Sequence, residues 1–245
     1  MKKSYIIIGV VVIVMLVAIG IYAVINSNSQ SKKQLEENST NIEGTTNTEN
    51  STKENNTENK DEYIQNNQIS NESEENNMYS TGKHHAEIVV KNYGTIVLEL
   101  DADVAPITVE NFANLVNEGF YNGLTFHRII SGFMIQGGDP LGNGTGGSSK
   151  TIKGEFASNG VKNSISHVRG TISMARSSMP NSASSQFFIV HQDSTFLDGQ
   201  YAAFGTVTSG MEVVDKIYAD TAVEDDNGTV AKNNQPVIEK ITIID

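Results

Sequence analysis

The spacing of apolar and polar residues divides the chain into three segments, and the first of them is strongly apolar. Residues 6–25 carry no charge and are rich in Ile and Val, and two lysines lie within residues 1–3. Twenty helical residues span about 30 Å, the thickness of a membrane's hydrocarbon layer. The pattern predicts a transmembrane anchor over 1–25, with the lysines in the cytoplasm and the rest of the chain outside. Secretion after signal cleavage at Ser29 is the alternative.

The second segment, residues 26–80, has isolated apolar residues without periodicity. It contains 14 Asn, and 4 Lys stand against 11 acidic residues. Such a segment cannot bury enough apolar surface to offset its conformational entropy, so the sequence predicts a disordered linker. A flexible coil of this length reaches about 40 Å, which suits a tether. A binding tail that carries the function itself, with the folded part only a cap, is the alternative.

The third segment, residues 81–245, has short β-branched and aromatic runs separated by turn residues, the pattern of a folded domain. The predicted strands are residues 86–90, 95–100, 126–130, 133–136, 171–175, 186–190, 203–207 and 237–244. One predicted helix follows Pro106 and ends near Gly119, and a second lies at 211–218. Many short strands with two helices predict an all-β barrel capped by helices.

Charge and composition exclude several kinds of site. The net charge of −12 repels phosphate, which argues against a nucleic-acid partner. The absence of Cys excludes disulfides, thiolate zinc sites and cysteine nucleophiles. The glycines of 142–147 match the dinucleotide-binding pattern G-x-G-x-x-G, but no helical pattern follows them. A dinucleotide site is therefore excluded as well.

One stretch, residues 126–139, places an arginine and a glutamine among large apolar side chains. On an extended strand Phe126 and Arg128 share one face, and His127 lies on the other. An arginine in such surroundings needs a polar or charged partner, or it has a functional role. From the residues alone, two interpretations stay open: a core arginine held by a buried carboxylate, or part of a binding site.

Four motifs in order resemble the signature of the cyclophilins, a family of peptidyl-prolyl cis–trans isomerases. They are F-H-R-I-I-x-G-F-M-x-Q-G-G-D at 126–139, G-T-G-G at 144–147, S-Q-F-F-I at 185–189 and F-L-D-G-x-x-x-x-F-G at 196–205. The resemblance covers about 86–245 and indicates a membrane-anchored bacterial member. It implies a closed eight-stranded antiparallel β-barrel with an α-helix at each end.

The resemblance also implies the catalytic and substrate-binding residues. It assigns Arg128 as a donor toward the prolyl nitrogen, Gln136 as a neighbour of the substrate carbonyl, and His127 as a third catalytic position. It implies a substrate-binding surface made of Phe133, Met134, Gly144, Ala175, Gln186, Phe188, Phe196, Leu197 and Tyr201. The implied reaction, rotation about an X–Pro bond, needs neither a metal nor a cofactor.

Three positions depart from the family's pattern. Phe196 stands where many eukaryotic members have Trp, which puts tight cyclosporin binding in doubt. Tyr201 stands where others have His, and Arg176 replaces a usual Asn, with the following turn one residue longer. We therefore expect an altered edge contact with the substrate and an altered subsite for the residue before proline.

The sequence as a whole predicts a membrane-tethered isomerase that assists the folding of exported proteins at the outer face of the membrane. We expect a monomer whose partners are proline-containing polypeptides and the membrane, and not nucleic acid. The missing lipid-modified Cys and the Asn-rich linker indicate a Gram-positive bacterium. The alternative is a non-catalytic proline-peptide-binding module or chaperone of the same fold, which slow turnover with normal peptide affinity would favour.

Overall fold

A computed structural model of the protein describes residues 78–245. The predicted anchor at 1–25 and the predicted linker up to residue 77 lie outside the described residues. Tyr79, at the end of that linker, packs on the domain: its backbone N–H donates to Glu110 Oε2 at 2.7 Å, and its hydroxyl accepts from Asn117 at 3.0 Å. Between residues 78 and 245, no helix has the length and apolar character needed to cross a bilayer.

Within residues 78–245, eight strands and two α-helices follow one another in the order that the apolar pattern predicts. The strands are β1 Lys83–Val90, β2 Gly94–Asp101, β3 Phe126–Ile130, β4 Met134–Gly137, β5 Thr171–Met174, β6 Phe187–Val190, β7 Ala203–Ser209 and β8 Ile238–Ile243. Helix α1, Pro106–Asn117, follows β2, and helix α2, Met211–Asp220, follows β7. Three short 3-10 segments that the pattern did not predict lie at Ala157–Asn159, Thr195–Leu197 and Lys232–Asn234.

The turn between β3 and β4 differs from the predicted strand boundary. Phe133 was expected to start β4, but its N–H donates to the carbonyl of Ile130 at 3.1 Å and closes a turn. Gly132, in the middle of this turn, has a φ of +68°, a conformation that favours glycine. Phe133 therefore belongs to the turn, and β4 begins one residue later.

The strands form one antiparallel sheet in the order β3-β4-β6-β5-β7-β2-β1-β8, curved into a half-barrel. The predicted closed barrel is wrong, because β3 and β8 share no ladder: the two edges are joined only around the isolated bridge of Thr125 with Val237, by three backbone hydrogen bonds between residues 123–126 and 236–238. The free side of β3 pairs instead with a loop. The N–H of Ile129 donates to the backbone carbonyl of Gly228 at 2.8 Å, and the N–H of Val230 donates to the backbone carbonyl of His127 at 3.0 Å.

The sequence before β8 also prevents closure. Pro236 accepts a hydrogen bond from the N–H of Phe126 at 2.9 Å, but a proline has no N–H to return. A reciprocal ladder cannot be built through that residue. The edges therefore meet at one point, with the 225–230 loop lying along β3.

A buried carboxylate from a distant loop satisfies the start of α1. Glu155, which is 2% exposed, accepts hydrogen bonds from the N–H groups of Ile107 at 3.1 Å and Thr108 at 2.8 Å, and from the Thr108 hydroxyl at 2.7 Å. These N–H groups have no partner within a helix, and the helix N-terminus favours a negative charge. Glu155 thus fixes α1 to the loop that follows β4.

Apolar side chains pack on both faces of the sheet. The inner core lies between the sheet and the helices and contains the aromatic residues Phe112, Tyr121, Phe126, Phe187 and Phe204. A separate group on the other face, here named the outer cluster, consists of the buried residues Met134, Phe188, Val190 and Leu197. All four residues of β5 and of β6 are consequently buried, which is unusual for a sheet with one solvent face.

Candidate active site

The outer cluster forms an apolar surface that ends at solvent. Half-buried side chains pack around its buried members: Ile130, Phe133, Ala175 and Tyr201. The ring centroid of Phe188 lies 6.4 Å from that of Phe133 and 6.0 Å from that of Tyr201, the latter edge to face. The structure thus brings together six of the predicted substrate-binding residues, which come from β4, β6, the β3–β4 turn, the β5–β6 loop and the β6–β7 loop.

Phe196 lies at the rim of this surface. Its side chain is 63% exposed, and its ring centroid is 5.5 Å from that of Phe133. An exposed aromatic ring leaves apolar area in contact with water, which a bound apolar group would remove. The outer cluster is therefore extended, and not closed, by Phe196.

Arg128 lies beside the outer cluster and is held by three hydrogen bonds. Its Nε donates to the backbone carbonyl of Asn227 at 2.9 Å, and one terminal nitrogen donates to the Asn227 side-chain oxygen at 2.9 Å. The other terminal nitrogen donates to Gln136 Oε1 at 3.1 Å. Gln136 is the cross-strand partner of Arg128 in the β3–β4 ladder, so the pairing of the two strands sets this contact.

The hydrogen bonds continue from Gln136 away from Arg128. Gln136 Nε2 donates to Gln186 Oε1 at 2.8 Å, and Gln186 Nε2 donates to the carbonyls of Gly144 at 3.1 Å and Gly146 at 2.7 Å. Each amide is oriented by a donor on one side and an acceptor on the other. Four predicted site residues, Arg128, Gln136, Gly144 and Gln186, thus form one polar row along the outer cluster.

The partners of Arg128 are electrically neutral. Among residues 78–245, its hydrogen-bond acceptors are a carbonyl and two side-chain amides, and no carboxylate lies within ion-pair distance of it. Burial lowers the pKa of the guanidinium, but an arginine stays protonated at neutral pH. The interpretation of Arg128 as a core arginine held by a buried carboxylate is therefore not supported, because its charge is oriented but not neutralised.

His127 lies next to Arg128 at the irregularity that shifts the register of the β3–β4 ladder. It is 4% exposed, and neither ring nitrogen has a hydrogen-bond partner among the described residues. A Cβ placed on Gly144 would lie 3.7 Å from its Nε2, so the glycine-rich loop passes close to the ring. Burial lowers the pKa of His127, which keeps the ring neutral. A catalytic role for His127 stays a prediction.

A second buried histidine, which the sequence did not single out, lies beneath the outer cluster. The ring of His167 stacks on Phe188 with a centroid distance of 6.0 Å and an angle of 17°. Its Nδ1 lies 2.9 Å from Asp198 Oδ1, and its Nε2 lies 3.0 Å from Ser173 Oγ. Burial lowers the pKa of His167, against an opposing effect of Asp198. The neutral ring then donates to Asp198 and accepts from Ser173.

Asn227 is the other residue that sequence reasoning missed. The stretch around it, with two acidic residues before and a glycine after, predicted a turn and no more. The turn does form: Asp225 accepts from the N–H and hydroxyl of Thr229, each at 2.9 Å. No sequence signal connects it to Arg128, which is 99 residues away. The contact arises because this loop, and not β8, lies along β3.

Two of the departures from the family pattern contact each other. The Arg176 guanidinium lies 4.6 Å from the ring centroid of Tyr201 and 4.9 Å from that of Phe156. It also donates to the carbonyl of Gln200 at 2.8 and 3.1 Å. Arg176 therefore supports Tyr201. It also lines a cavity of about 240 Å³ with Gln136, Ala175, Ser182 and Gln186, which is where the altered subsite was expected.

Comparison with known proteins points to one family. A family model described as "Cyclophilin type peptidyl-prolyl cis-trans isomerase/CLD" matches residues 85–244. A "Probable peptidyl-prolyl cis-trans isomerase" of Brucella suis is 46% identical over 158 residues, 60% of this chain and 76% of that protein. "Peptidyl-prolyl cis-trans isomerase B" of Bacillus subtilis is 50% identical over 117 residues, 48% of this chain and 78% of that protein.

A solved structure is similar over the same part of the chain. It is a cyclophilin-type peptidyl-prolyl cis-trans isomerase of Cryptosporidium parvum, crystallised in the presence of the dipeptide Ala-Pro. It is 32% identical with a TM-score of 0.58, and the match covers 66% of this chain and 99% of that one. The similarity thus extends from the four sequence motifs to the arrangement of the strands that carry them.

Proposed function

The chain belongs to the cyclophilin-type peptidyl-prolyl cis-trans isomerases, and from this premise we propose that it acts on exported proteins at the outer face of the cell membrane. Its activity is rotation about the peptide bond before proline. The observation that carries this activity is the charged Arg128 beside an apolar surface, with only neutral hydrogen-bond acceptors among residues 78–245. The proposed location rests on the sequence of residues 1–80.

The chemistry follows from the origin of the barrier. Amide resonance opposes rotation by about 18–20 kcal/mol. In the twisted transition state the prolyl nitrogen recovers its lone pair and becomes a hydrogen-bond acceptor, so a donor there stabilises the transition state more than the planar amide. Of the five N–H groups of a guanidinium, Arg128 uses three on Asn227 and Gln136. Two remain to donate to a bound prolyl group.

The magnitudes require more than this one contact. An uncatalysed X–Pro bond isomerises in tens to hundreds of seconds. A turnover of about 10 per second instead of 0.01 needs about 4 kcal/mol of transition-state stabilisation. One charged hydrogen bond supplies about 1.5–3 kcal/mol. The rest must come from the pocket, which excludes water from the bond and holds the proline ring in a fixed orientation.

The outer cluster is suited to that second part. Phe133, Met134, Phe188 and Leu197 present apolar side chains against which a pyrrolidine ring can pack. A hydrogen bond formed next to buried apolar side chains is stronger than in water, because the local dielectric is lower. The hydrogen bonds from Gln136 through Gln186 to the glycine-rich loop keep the polar row in place while the substrate rotates.

The activity is tested by Arg128→Ala in the full-length chain. We expect kcat/KM for the cis-to-trans conversion of a proline tetrapeptide to fall about 100-fold, with an unchanged melting temperature. Arg128→Lys keeps the charge but loses the second donor arm, and should recover only part of the activity. Lys240→Ala, which removes an exposed cation of β8, is the matched control. A folded wild-type chain that binds the peptide without accelerating isomerisation would instead indicate the binding module.

The proposed location is supported by the order of the segments. An apolar stretch long enough for a bilayer precedes a polar linker with a reach of about 40 Å, and the isomerase domain follows. A domain on such a tether stays near the membrane at a raised local concentration, and can reach chains that emerge there unfolded. Slow X–Pro isomerisation limits the folding of such chains, so exported proteins form a fitting substrate class.

The location is tested in a Gram-positive host that expresses the full chain with a C-terminal tag. We expect the tag in the membrane fraction, and accessible to protease added to intact protoplasts. Tagged protein found mainly in the medium would indicate cleavage and secretion. A tag protected from protease until the cells are lysed would contradict both outcomes and refute an extracytoplasmic role.

A further inference from the structure

The β3–β4 turn, residues 131–133, is held from the side opposite the outer cluster. The hydroxyl of Ser131 lies 2.5 Å from the hydroxyl of Tyr218 on α2. Two residues later the carbonyl of Phe133 accepts from the N–H of His191 at 2.8 Å. The turn that carries Phe133 is therefore attached at both ends, once through a side chain and once through the backbone.

The two attachments contact each other. The rings of His191 and Tyr218 stack with a centroid distance of 4.5 Å and an angle of 29°. His191 Nε2 lies 3.1 Å from Asp215 Oδ1, and the other oxygen of Asp215 accepts from Arg169 at 2.8 Å. Arg169 also donates to the carbonyl of His191 at 2.9 Å. We name this group, Arg169, His191, Asp215 and Tyr218, the α2 brace.

Helix α2, which carries two residues of the α2 brace, is fixed in place by its buried face. Val213, Val214 and Ile217 bury one face of the helix in the inner core, with exposures of 6%, 0% and 0%. Asp215 and Tyr218 are three residues apart and so share another face. A displacement of Tyr218 or Asp215 would require the helix to leave the core, which the buried side chains oppose.

Phe133, in contrast, has little support of its own. It lies outside the β4 ladder, next to a glycine with positive φ, and it is only half-buried. Its ring neighbours are Phe188 and Phe196, the second of which is itself 63% exposed. The position of the Phe133 ring therefore depends on the turn, and the position of the turn depends on its attachments.

We propose that Tyr218, supported by His191 and Asp215, is a positioning residue for the isomerase: it holds the β3–β4 turn through Ser131 and thereby fixes Phe133 as one wall of the proline pocket. This inference rests on the proposed use of the outer cluster as that pocket. It connects the back of α2, which contacts no substrate, with the geometry of substrate binding.

The kinetic test uses Tyr218→Phe, which keeps the ring stack and removes the hydroxyl. In the full-length chain we expect kcat/KM to fall about three-fold, the effect of one partly exposed hydrogen bond, through a higher KM at constant kcat. Ser131→Ala should have the same effect, and the double variant should be no worse than either alone. Ser131→Thr, which keeps a hydroxyl, should stay close to wild type.

Tyr93→Phe is the matched control. Tyr93 also contacts α2, through the ammonium of Lys216 at 4.9 Å from its ring, but lies far in sequence from the turn and should leave kcat/KM unchanged. Additive losses in the Tyr218→Phe/Ser131→Ala variant, or an equal loss in Tyr93→Phe, would overturn the proposal. So would unchanged kinetics of the two single variants beside an active wild type.

A fluorescence measurement tests this inference independently of the proposed function. The chain contains no tryptophan, so Phe196→Trp creates a single indole, excited at a wavelength that tyrosine does not absorb, packed against Phe133. In that background Tyr218→Phe should lower the fluorescence anisotropy of the indole, and Tyr93→Phe should not. If the wild type is inactive but Tyr218→Phe still lowers the anisotropy, the isomerase mechanism is refuted and the positioning of Phe133 by the α2 brace is supported. An unchanged anisotropy would refute the brace in an active enzyme.

Discussion

Two phenylalanines adjacent in sequence differ in almost everything except burial. Phe187 and Phe188 of β6 are 0% and 5% exposed and point to opposite faces of the sheet. The ring of Phe187 meets only other core aromatics, with centroid distances of 5.7 Å to Phe112 and 5.6 Å to Tyr121. The ring of Phe188 lies between a half-buried tyrosine and a hydrogen-bonded histidine.

The contrast shows how one strand serves stability and function at once. On the inner face, aromatic rings surround each other, and adding a ligand is impossible without unfolding. On the outer face, Phe188 is covered by side chains at the edge of solvent, so a proline ring can be added to the surface. The apolar surface of the first kind stabilises the fold, and that of the second kind is where we propose that the substrate binds.

The largest expected effects come from separating the two rings by mutation. Phe187→Ala should lower the free energy of unfolding by about 3–5 kcal/mol, the usual loss for a core aromatic. Phe188→Ala should lower the free energy of unfolding less. It should reduce kcat/KM by about 30-fold or more, because the proline pocket loses the aromatic ring against which the substrate packs. Urea unfolding and the peptide assay measure both quantities. If Phe187→Ala does not fold, Phe187→Leu and Phe188→Leu give the same comparison at smaller amplitude.

The comparison would fail if activity followed stability in both variants. Loss of kcat/KM in Phe187→Leu as large as in Phe188→Leu, measured where both are fully folded, would mean that the faces are not separate. The assay is therefore run at a low temperature at which circular dichroism shows each variant in its native state.

A smaller effect concerns the two buried histidines, His127 and His167. Burial lowers the pKa of His127 and of His167 from the usual 6.5. The unfolded chain then binds more protons than the folded one below that pH, so the free energy of unfolding should fall as the pH drops below about 6.5. Each histidine contributes at most about 1.4 kcal/mol per pH unit. Urea unfolding at pH 7.5, 6.0 and 5.0 measures the slope.

His167→Asn and His127→Asn should each reduce that slope, but they should differ in activity. Only His167 stacks on Phe188, so only its variant should also raise the KM for the peptide. The carboxyl of Asp198 titrates in a lower range. Burial acts to raise its pKa, but the hydrogen bonds from Ser166 and His167 outweigh it and lower the value. A slope that persists above pH 5 in the double variant would contradict the assignment to histidines.

The smallest expected effect tests whether Arg128 needs neutral partners. Asn227→Ala removes one hydrogen bond at 2.9 Å but leaves the backbone carbonyl, and should lower kcat/KM about three-fold. Asn227→Asp has the same shape and places a carboxylate against the guanidinium. It should lower kcat/KM about ten-fold, because an ion pair competes with the substrate for the cation. An Asp variant as active as wild type would show that Arg128 does not need neutral partners.

Much of this architecture could be predicted from the sequence, because its signals are local. Pro106 marks the start of α1, and alternating apolar residues mark β1 and β2 in their observed register. The motif around Arg128 places Gln136 opposite it through a short hairpin, and the structure has this pair. Where the partner lies within about ten residues, strand alternation and turn residues determine the contact.

The remainder depends on contacts between distant segments. Asn227 reaches Arg128 across 99 residues, and His167 reaches Asp198 across 31, and neither pair shows a local pattern. The open edge between β3 and β8 was also missed, because the eight predicted strands did not show that Pro236 and the 225–230 loop occupy the closing position. Local sequence chooses the strands, whereas loop packing decides which edges meet.

The position of β8 in the sheet has a consequence for how the protein matures. Strand β1 pairs on one side with β2, which follows at once, and on the other side with β8, the last of the eight strands to be synthesised. Until β8 emerges, the growing chain carries β1 with one unsatisfied edge, open to pairing with other molecules. Contacts of such long sequence separation form slowly. This peptidyl-prolyl isomerase thus begins as a nascent chain whose own open strand edge exposes it to aggregation.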